Sequence, residues 1–297
     1  MNKLAIGALV LSCLMWGTTG TVAAFMSADV SPLAVGAFTM GVGGLLLGMI
    51  TWRHVRATWV IQGARRWILV GGLGVLVYPL AFYVGMDLVG VAVGNAIALG
   101  SGPLFAAGLE WSITKAKPSG RWFLALSLAV VGLGLISVAR DDAGIDHIGG
   151  IGVALLAGLA YATYTVAGGR LIAAGTTSRG SMGAVFSAGA LPLLVVLVPL
   201  IQPILSSMDN LARAGYLALG PTVVGYLLFG YALIKLPARD VTVITLLEPV
   251  ATVVIAVAVL HETLPVWGWL GVATLIGGVA VVSIGYSATP RQTPTEQ

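Results

Sequence analysis

Apolar runs of about 20 residues follow one another along this chain, separated by short polar breaks. A helix of roughly 20 apolar residues covers the hydrocarbon core of a bilayer, about 30 Å. The pattern predicts helices near 4–26, 32–52, 67–88, 92–113, 120–139, 149–171, 180–201, 212–235, 238–260 and 264–286. The breaks carry charge, proline or aspartate: Asp29 to Pro32, Arg53 to Arg66, Lys115 to Gly120, Arg140 to His147. None is long enough to fold separately. The first run, after Lys3, is too long for a signal-peptide core and shows no clear small-residue cleavage pattern, so it reads as a span. The expected fold class is an all-α polytopic membrane protein with ten transmembrane helices.

Composition removes the competing classes. Of 297 residues, 58% are hydrophobic and only 9% are charged, against roughly 25% charged in soluble domains. Such a chain cannot cover a water-facing surface, which excludes a soluble enzyme, a nucleic-acid binder and a disordered protein. The net charge of +4 is an orientation signal instead. With the N-terminus inside and ten spans, all 15 Lys and Arg except Arg140 and Arg213 fall on the inner face. That is a strong positive-inside bias, and it puts both termini in the cytoplasm. Trp52, Trp59, Trp67, Trp111 and Trp122 cluster at the same boundary, Trp267 and Trp269 at the other. One cysteine, Cys13, and three histidines leave no disulfide framework and no Cys/His metal cluster. The lipid bilayer and a small solute are the expected partners, nucleic acid is not, and no cofactor is expected.

The chain also repeats weakly at about half its length. Ile6-Gly7 through Trp16-Gly17-Thr18 aligns with Ile151-Gly152 through Tyr161-Ala162-Thr163; Pro103, Leu124, Gly132 and Ser137 align with Pro249, Leu270, Gly278 and Ser283. Five helices per half is an odd number, so the halves lie in opposite orientations, as in secondary transporters with a midplane site. This divides the chain into a first repeat (1–140), an outer linker (141–148), an inverted second repeat (149–286) and a cytoplasmic tail (287–297). One chain holding two repeats is sufficient as a monomer, and a dimer is not excluded. Glycines such as Gly36, Gly41, Gly44, Gly48, Gly132, Gly134, Gly271, Gly277 and Gly278 give small helix faces for close packing.

Trp16-Gly17, Pro103, Glu248-Pro249 and His261-Glu262-Thr263-Leu264, in that order and spacing, resemble the drug/metabolite transporter superfamily in its ten-helix branch of paired EamA-type repeats. The turn at His261 departs from the family pattern, which usually has Gly before Glu, and the matching place in the first half reads Lys115-Ala116. The resemblance covers the chain from residue 4 to about 286. It implies a secondary transporter of the bacterial inner membrane, moving small metabolites by alternating access around a cavity built by spans 1, 3, 4, 6, 8 and 9. Bacterial amino-acid exporters of the YddG type are the nearest analogy.

Candidate site residues follow from depth and chemistry. Glu248 is the single carboxylate placed near mid-membrane, where a charge costs about 2.5–3.5 kcal/mol on insertion scales unless protonated, paired or wet. Thr245 and Thr252 extend its helical face. Glu248 contacts a substrate ammonium, carries a coupling proton, or hydrogen-bonds backbone freed by Pro249. Pro103 is the mate of Pro249, with Ser101 beside it, and paired broken helices mark transporter sites. Asn95 offers an uncharged amide. Trp16, Tyr78, Tyr83, Tyr161, Tyr164 and Tyr226 stand at middle depths on spans 1, 3, 6 and 8, and aromatic walls with polar tips suit a cation or amphipathic solute. Core packing is the alternative for each aromatic. Glu110 is expected near the inner interface, solvated or paired with Arg. His261-Glu262 is no zinc-protease motif, because Pro265 stands where the second histidine belongs. Ser101 has no plausible base, and no nucleotide-binding loop occurs, so neither an intramembrane hydrolase nor an ATP-driven pump is expected. The alternatives kept open are a multidrug or nucleotide-sugar-like transporter of the same fold and a non-transporting sensor or scaffold.

Overall fold

A computed structural model of the protein describes residues 3–89, 91–115, 117–138, 148–259 and 263–285. Arg140, most of the expected outer linker, the expected tail and the His261-Glu262 turn lie outside the described residues. Its helices are α1 (Lys3–Ala24), α2 (Pro32–Ile50), α3 (Trp52–Trp59), α4 (Ala64–Val89), α5 (Val91–Thr114), α6 (Gly120–Val138) and α7 (Ile148–Ala173). They continue with α8 (Ser178–Leu197), α9 (Gln202–Leu205), α10 (Met208–Leu217), α11 (Gly225–Lys235), α12 (Ala238–Ile244), α13 (Leu247–Val259) and α14 (Val266–Gly285). Nine helical stretches among the described residues are long and apolar enough to cross a membrane; the tenth, in α14, is apolar over the shorter stretch Val266–Val282. An all-helical polytopic fold is what remains when no water reaches the chain, because only a helix satisfies its backbone groups within one segment.

Local signals set the helix starts. Ser31 accepts from the N–H of Ala34 at 3.2 Å with Pro32 behind it, and Thr177 accepts from Gly180 at 3.1 Å. Both are N-caps that satisfy donors the helix cannot. Gly175, at φ +93°, turns the chain out of α7 and into that second cap. The polar break from Arg53 to Arg66 is not a loop throughout: Trp52–Trp59 forms the short amphipathic helix α3, which turns Val55 and Thr58 toward α8 and leaves Trp52, Arg53 and Arg56 exposed.

Packing is pairwise and close. α4 lies along α7, α2 along α8, and α6 along α14. At the last of these pairs Gly132 and Gly271 meet: a Cβ on Gly132 would stand 2.6 Å from the Gly271 carbonyl oxygen. Gly278 packs on Ala125 in the same way. Lipid gives no hydrophobic drive between helices, so backbone approach through small residues carries the contact. Gly134 and Gly277, read from sequence as part of the same faces, meet nothing within 4 Å.

Candidate functional site

Two of the spans have irregular backbone, and the site grows from them. α10 passes into a π-helical turn, Ala218–Val224, before α11. Pro221 within it has no N–H, and Thr222 Oγ1 donates to the carbonyl of Leu217 at 3.2 Å. The carbonyl of Pro221 accepts from Trp16 Nε1 at 2.9 Å, and that of Gly225 from Ser12 Oγ at 3.0 Å. The second irregularity separates α12 from α13 at Thr245 and Leu246. Pro249 cannot donate to Thr245, whose carbonyl accepts instead from the Glu248 N–H at 2.9 Å and stands 3.9 Å from the Cys13 thiol. One face of α1, Ser12, Cys13 and Trp16, thus supplies donors to both interrupted helices, as buried backbone in a membrane requires. Gly17 lets α1 come this near, since a Cβ there would stand 2.5 Å from Ala251 Cβ.

Between these elements lies a partly open cavity of about 360 Å³. It takes its walls from the C-terminal half of α1, the N-terminal half of α2, the C-terminal half of α4, the start of α5, the middle of α7, the π turn, the start of α11 and α13. It therefore sits in the half of the molecule nearest the α1–α2 and α4–α5 connections, away from the face that carries α3 and most of the basic residues.

Of the residues singled out from sequence, Trp16, Tyr78, Tyr83, Asn95, Tyr161, Tyr164, Tyr226, Glu248 and Thr252 all line this cavity. Their rings touch: Trp16 to Tyr226 at 5.0 Å between centroids, Tyr161 to Tyr164 at 5.4 Å, Tyr78 to Tyr161 and to Tyr164 at 5.9 Å each. The hydroxyls of Tyr164 and Tyr226 are 3.0 Å apart. Gly36 makes room for Tyr83, because a Cβ there would stand 2.5 Å from its ring.

Others lie elsewhere. Ser101 is buried against Gly158, and its hydroxyl donates to the carbonyl of Ala98 within its own helix at 3.3 Å. Thr245 is one layer below the cavity, bonded to the hydroxyl of Tyr161 and donating to Thr242 O at 2.9 Å. Pro103 does not break its helix: α5 runs through it from Val91 to Thr114. The expected stripe from Thr245 to Thr252 is interrupted too, because the helix break falls between Thr245 and Glu248. Sequence reading missed Thr19, Thr39, Phe82, Met86, Pro79, Pro221 and Thr222, which also line the cavity. The signal for two of them was present: Pro79 and Pro221 stand inside spans 3 and 8, one in each half, and this pair, not Pro103 and Pro249, lines the space; only Pro221 lies in irregular backbone, since α4 runs unbroken through Pro79. Thr39 had no sequence signal; its buried hydroxyl has no hydrogen-bond partner among the described residues.

The electrostatics are simple. Glu248 is the one charged residue among those lining the cavity, with no Lys, Arg or His beside it. Its carboxylate has no hydrogen-bond or ion-pair partner among the described residues. Aromatic faces present the negative part of their quadrupole, so carboxylate and walls act in the same direction: the space favours a positive, partly apolar group.

Away from the cavity, toward the basic face, polar contacts join the helices. Glu110, late in α5, accepts from the Ala238 N–H at the start of α12 at 2.6 Å and stands 3.8 Å from Arg239 Nε. Arg239 also lies 4.0 Å from Asp240, and its carbonyl accepts from Trp122 Nε1 at 3.3 Å. Of the solvated and Arg-paired surface roles expected for Glu110, it takes the pairing with arginine, but with a side chain only 14% exposed. α5, α6 and α12 are tied together there.

Known proteins share this plan. The model of the EamA-like transporter family matches twice, over residues 3–138 and 148–284. "Uncharacterized transporter YwfM" of Bacillus subtilis (strain 168) is 30% identical over 97% of this chain and 95% of its own. "Uncharacterized transporter YyaM" of the same organism is 24% identical over 95% and 93%. One solved crystal structure superposes with a TM-score of 0.77 at 18% identity, covering 95% of this chain and 97% of the other, which shows a shared fold.

Proposed function

Since the chain belongs to the EamA-like transporter family, we propose that it exports small ammonium-bearing metabolites, amino acids and their relatives, across the bacterial inner membrane. Family membership supports a role in transport across a membrane. The finer reading rests on one observation: a carboxylate, Glu248, without a hydrogen-bond or ion-pair partner among the described residues, in an aromatic cavity whose lining holds no basic side chain. The substrate ammonium sits on Glu248 between the rings of Trp16, Tyr78 and Tyr226, a geometry that adds cation–π attraction to the ionic contact. Asn95, Thr39 and Thr252 supply neutral hydrogen-bonding groups, and Tyr83, Tyr161 and Tyr164 complete the wall. A large anion such as a nucleotide sugar finds no cationic partner there, which supports the smaller cationic group over that alternative.

Transport follows from rocking of the two inverted halves, residues 1–140 and 149–286, about this cavity. The cavity side is the outside, by the positive-inside reading of the N-terminus. The tie of Glu110 to Ala238 and Arg239 closes the cytoplasmic side. The joint between α12 and α13 lets α12 move while α13 keeps Glu248 in place, so Pro249 marks a bendable helix. The same carboxylate is where a proton exchanges against substrate if transport is coupled.

The test is reconstitution into liposomes, with efflux and counterflow measured for pooled amino acids, amines, sugars and organic anions, with and without a pH gradient. Ammonium-bearing solutes are expected to exchange while sugars and anions do not. Movement of anions alone, or of no solute in the panel, overturns the reading, the latter in favour of a membrane scaffold.

A further inference from the structure

One corner of the basic face gathers arginines without any acid to balance them. Arg53 and Arg56 lie on α3, Arg65 and Arg66 open α4, Arg170 ends α7 and Arg179 opens α8. The helices involved pack on one another: α3 on α8 and α4 on α7. The chain has no Asp or Glu between Asp29 and Asp87, nor between Asp146 and Asp209. None of the six forms an ion pair among the described residues.

Within this corner two guanidiniums share one ring. The Arg66 guanidinium carbon is 5.5 Å from the centroid of Trp67, and that of Arg170 is 5.9 Å from the same centroid. Two like charges held on one indole repel unless an anion joins them. Arg170 adds a second sign: its Nε is buried and has no hydrogen-bond acceptor among the described residues. A buried donor without a partner is unfavourable, and an anion at this place would accept from it. Arg66 is exposed and Trp67 half-buried at the start of an apolar span, so the site faces the membrane boundary at headgroup depth. Arginine forks match phosphate oxygens well.

We propose that the phosphate of an anionic phospholipid seats between Arg66 and Arg170 against the indole of Trp67. The site belongs to the membrane-embedded fold and is independent of what the central cavity carries. Basic residues near a membrane surface contribute about fivefold each to anionic lipid binding.

The experiment is native mass spectrometry of the full-length protein titrated with phosphatidylglycerol, phosphatidylcholine or inorganic phosphate. Phosphatidylglycerol is expected to be retained in preference to phosphatidylcholine, and not to be displaced by equimolar phosphate. Arg66→Gln and Arg170→Gln should each weaken its retention about tenfold or more, losing a charge and a hydrogen bond to the phosphate together, while Arg65→Gln, which loses a surface charge alone, weakens it about fivefold. Arg66 and Arg65 are both exposed, so their comparison stands even if the Arg170 variant does not fold. Equal losses for Arg65→Gln and Arg66→Gln would reduce the corner to a diffuse basic surface and overturn the site. Equal retention of the two lipids, or displacement by free phosphate, would overturn it as well.

Discussion

Replacing Glu248 by Gln changes one charge and almost no volume. In most buried sites such a change leaves an orphaned partner behind. Here none exists among the described residues, because no basic side chain lines the cavity and the carboxylate has no hydrogen-bond partner. The fold therefore gives up nothing, and the loss falls on whatever binds. A hydrogen bond to a charged group is worth about 1.5–3 kcal/mol, which is about 10- to 150-fold in affinity. The rings of Trp16, Tyr78 and Tyr226 remain, so a residual cation–π attraction of about 0.5–2 kcal/mol should keep weak binding measurable. Counterflow in proteoliposomes gives half-saturation for an ammonium-bearing substrate, and thermal unfolding in detergent gives stability. Glu248→Gln should raise half-saturation by that factor, leave the unfolding temperature equal or higher, and remove any dependence on a pH gradient. A variant that transports the ammonium substrate within twofold of wild type would refute the assignment. One that unfolds earlier would show that the carboxylate has a structural partner after all.

Three further outcomes are expected. Gly132→Ala drives a methyl to 2.6 Å from both the Gly271 oxygen and the Leu275 nitrogen, so α6 and α14 must part; overpacking costs about 1–3 kcal/mol, and detergent thermal unfolding should fall accordingly, while Gly134→Ala, with open space around it, stays unchanged. Glu110→Gln loosens the tie to Ala238 and Arg239 and should raise labelling of a cysteine placed at Asp240 by a cytoplasmic-side reagent about tenfold, a shift of about 1.4 kcal/mol in the access equilibrium; unchanged labelling would remove that tie from the closing layer. Trp16→Phe keeps the ring against Tyr226 but strips the donor from the Pro221 carbonyl, and the unpaired acceptor should lower stability by about 1–3 kcal/mol in the same unfolding assay.

Much of this molecule was legible without coordinates, and the reason is the solvent. A bilayer admits few architectures, so the lengths of apolar runs already define an all-helical polytopic chain, and the 15 basic residues give the expected orientation. Depth along each run was enough to bring Trp16, Tyr78, Tyr161, Tyr226 and Glu248 to one place, because residues at equal depth on neighbouring helices can meet. What depth does not contain is rotation about the helix axis. Ser101 and Thr245 stand at suitable heights but turn away, Ser101 into Gly158 and Thr245 beneath Tyr161. Nor does a proline in sequence say whether its helix yields. Pro103 sits in an unbroken α5, while Pro221 lies in a π turn whose carbonyl waits for Trp16 from another helix. Rotation and backbone irregularity depend on which donors and which small residues a neighbour presents. The sequence by itself thus determined class, span order and the lone mid-membrane acid; the tertiary structure decided which faces enclose the cavity, where the backbone is irregular, and that six arginines with no ion pair among the described residues share one corner.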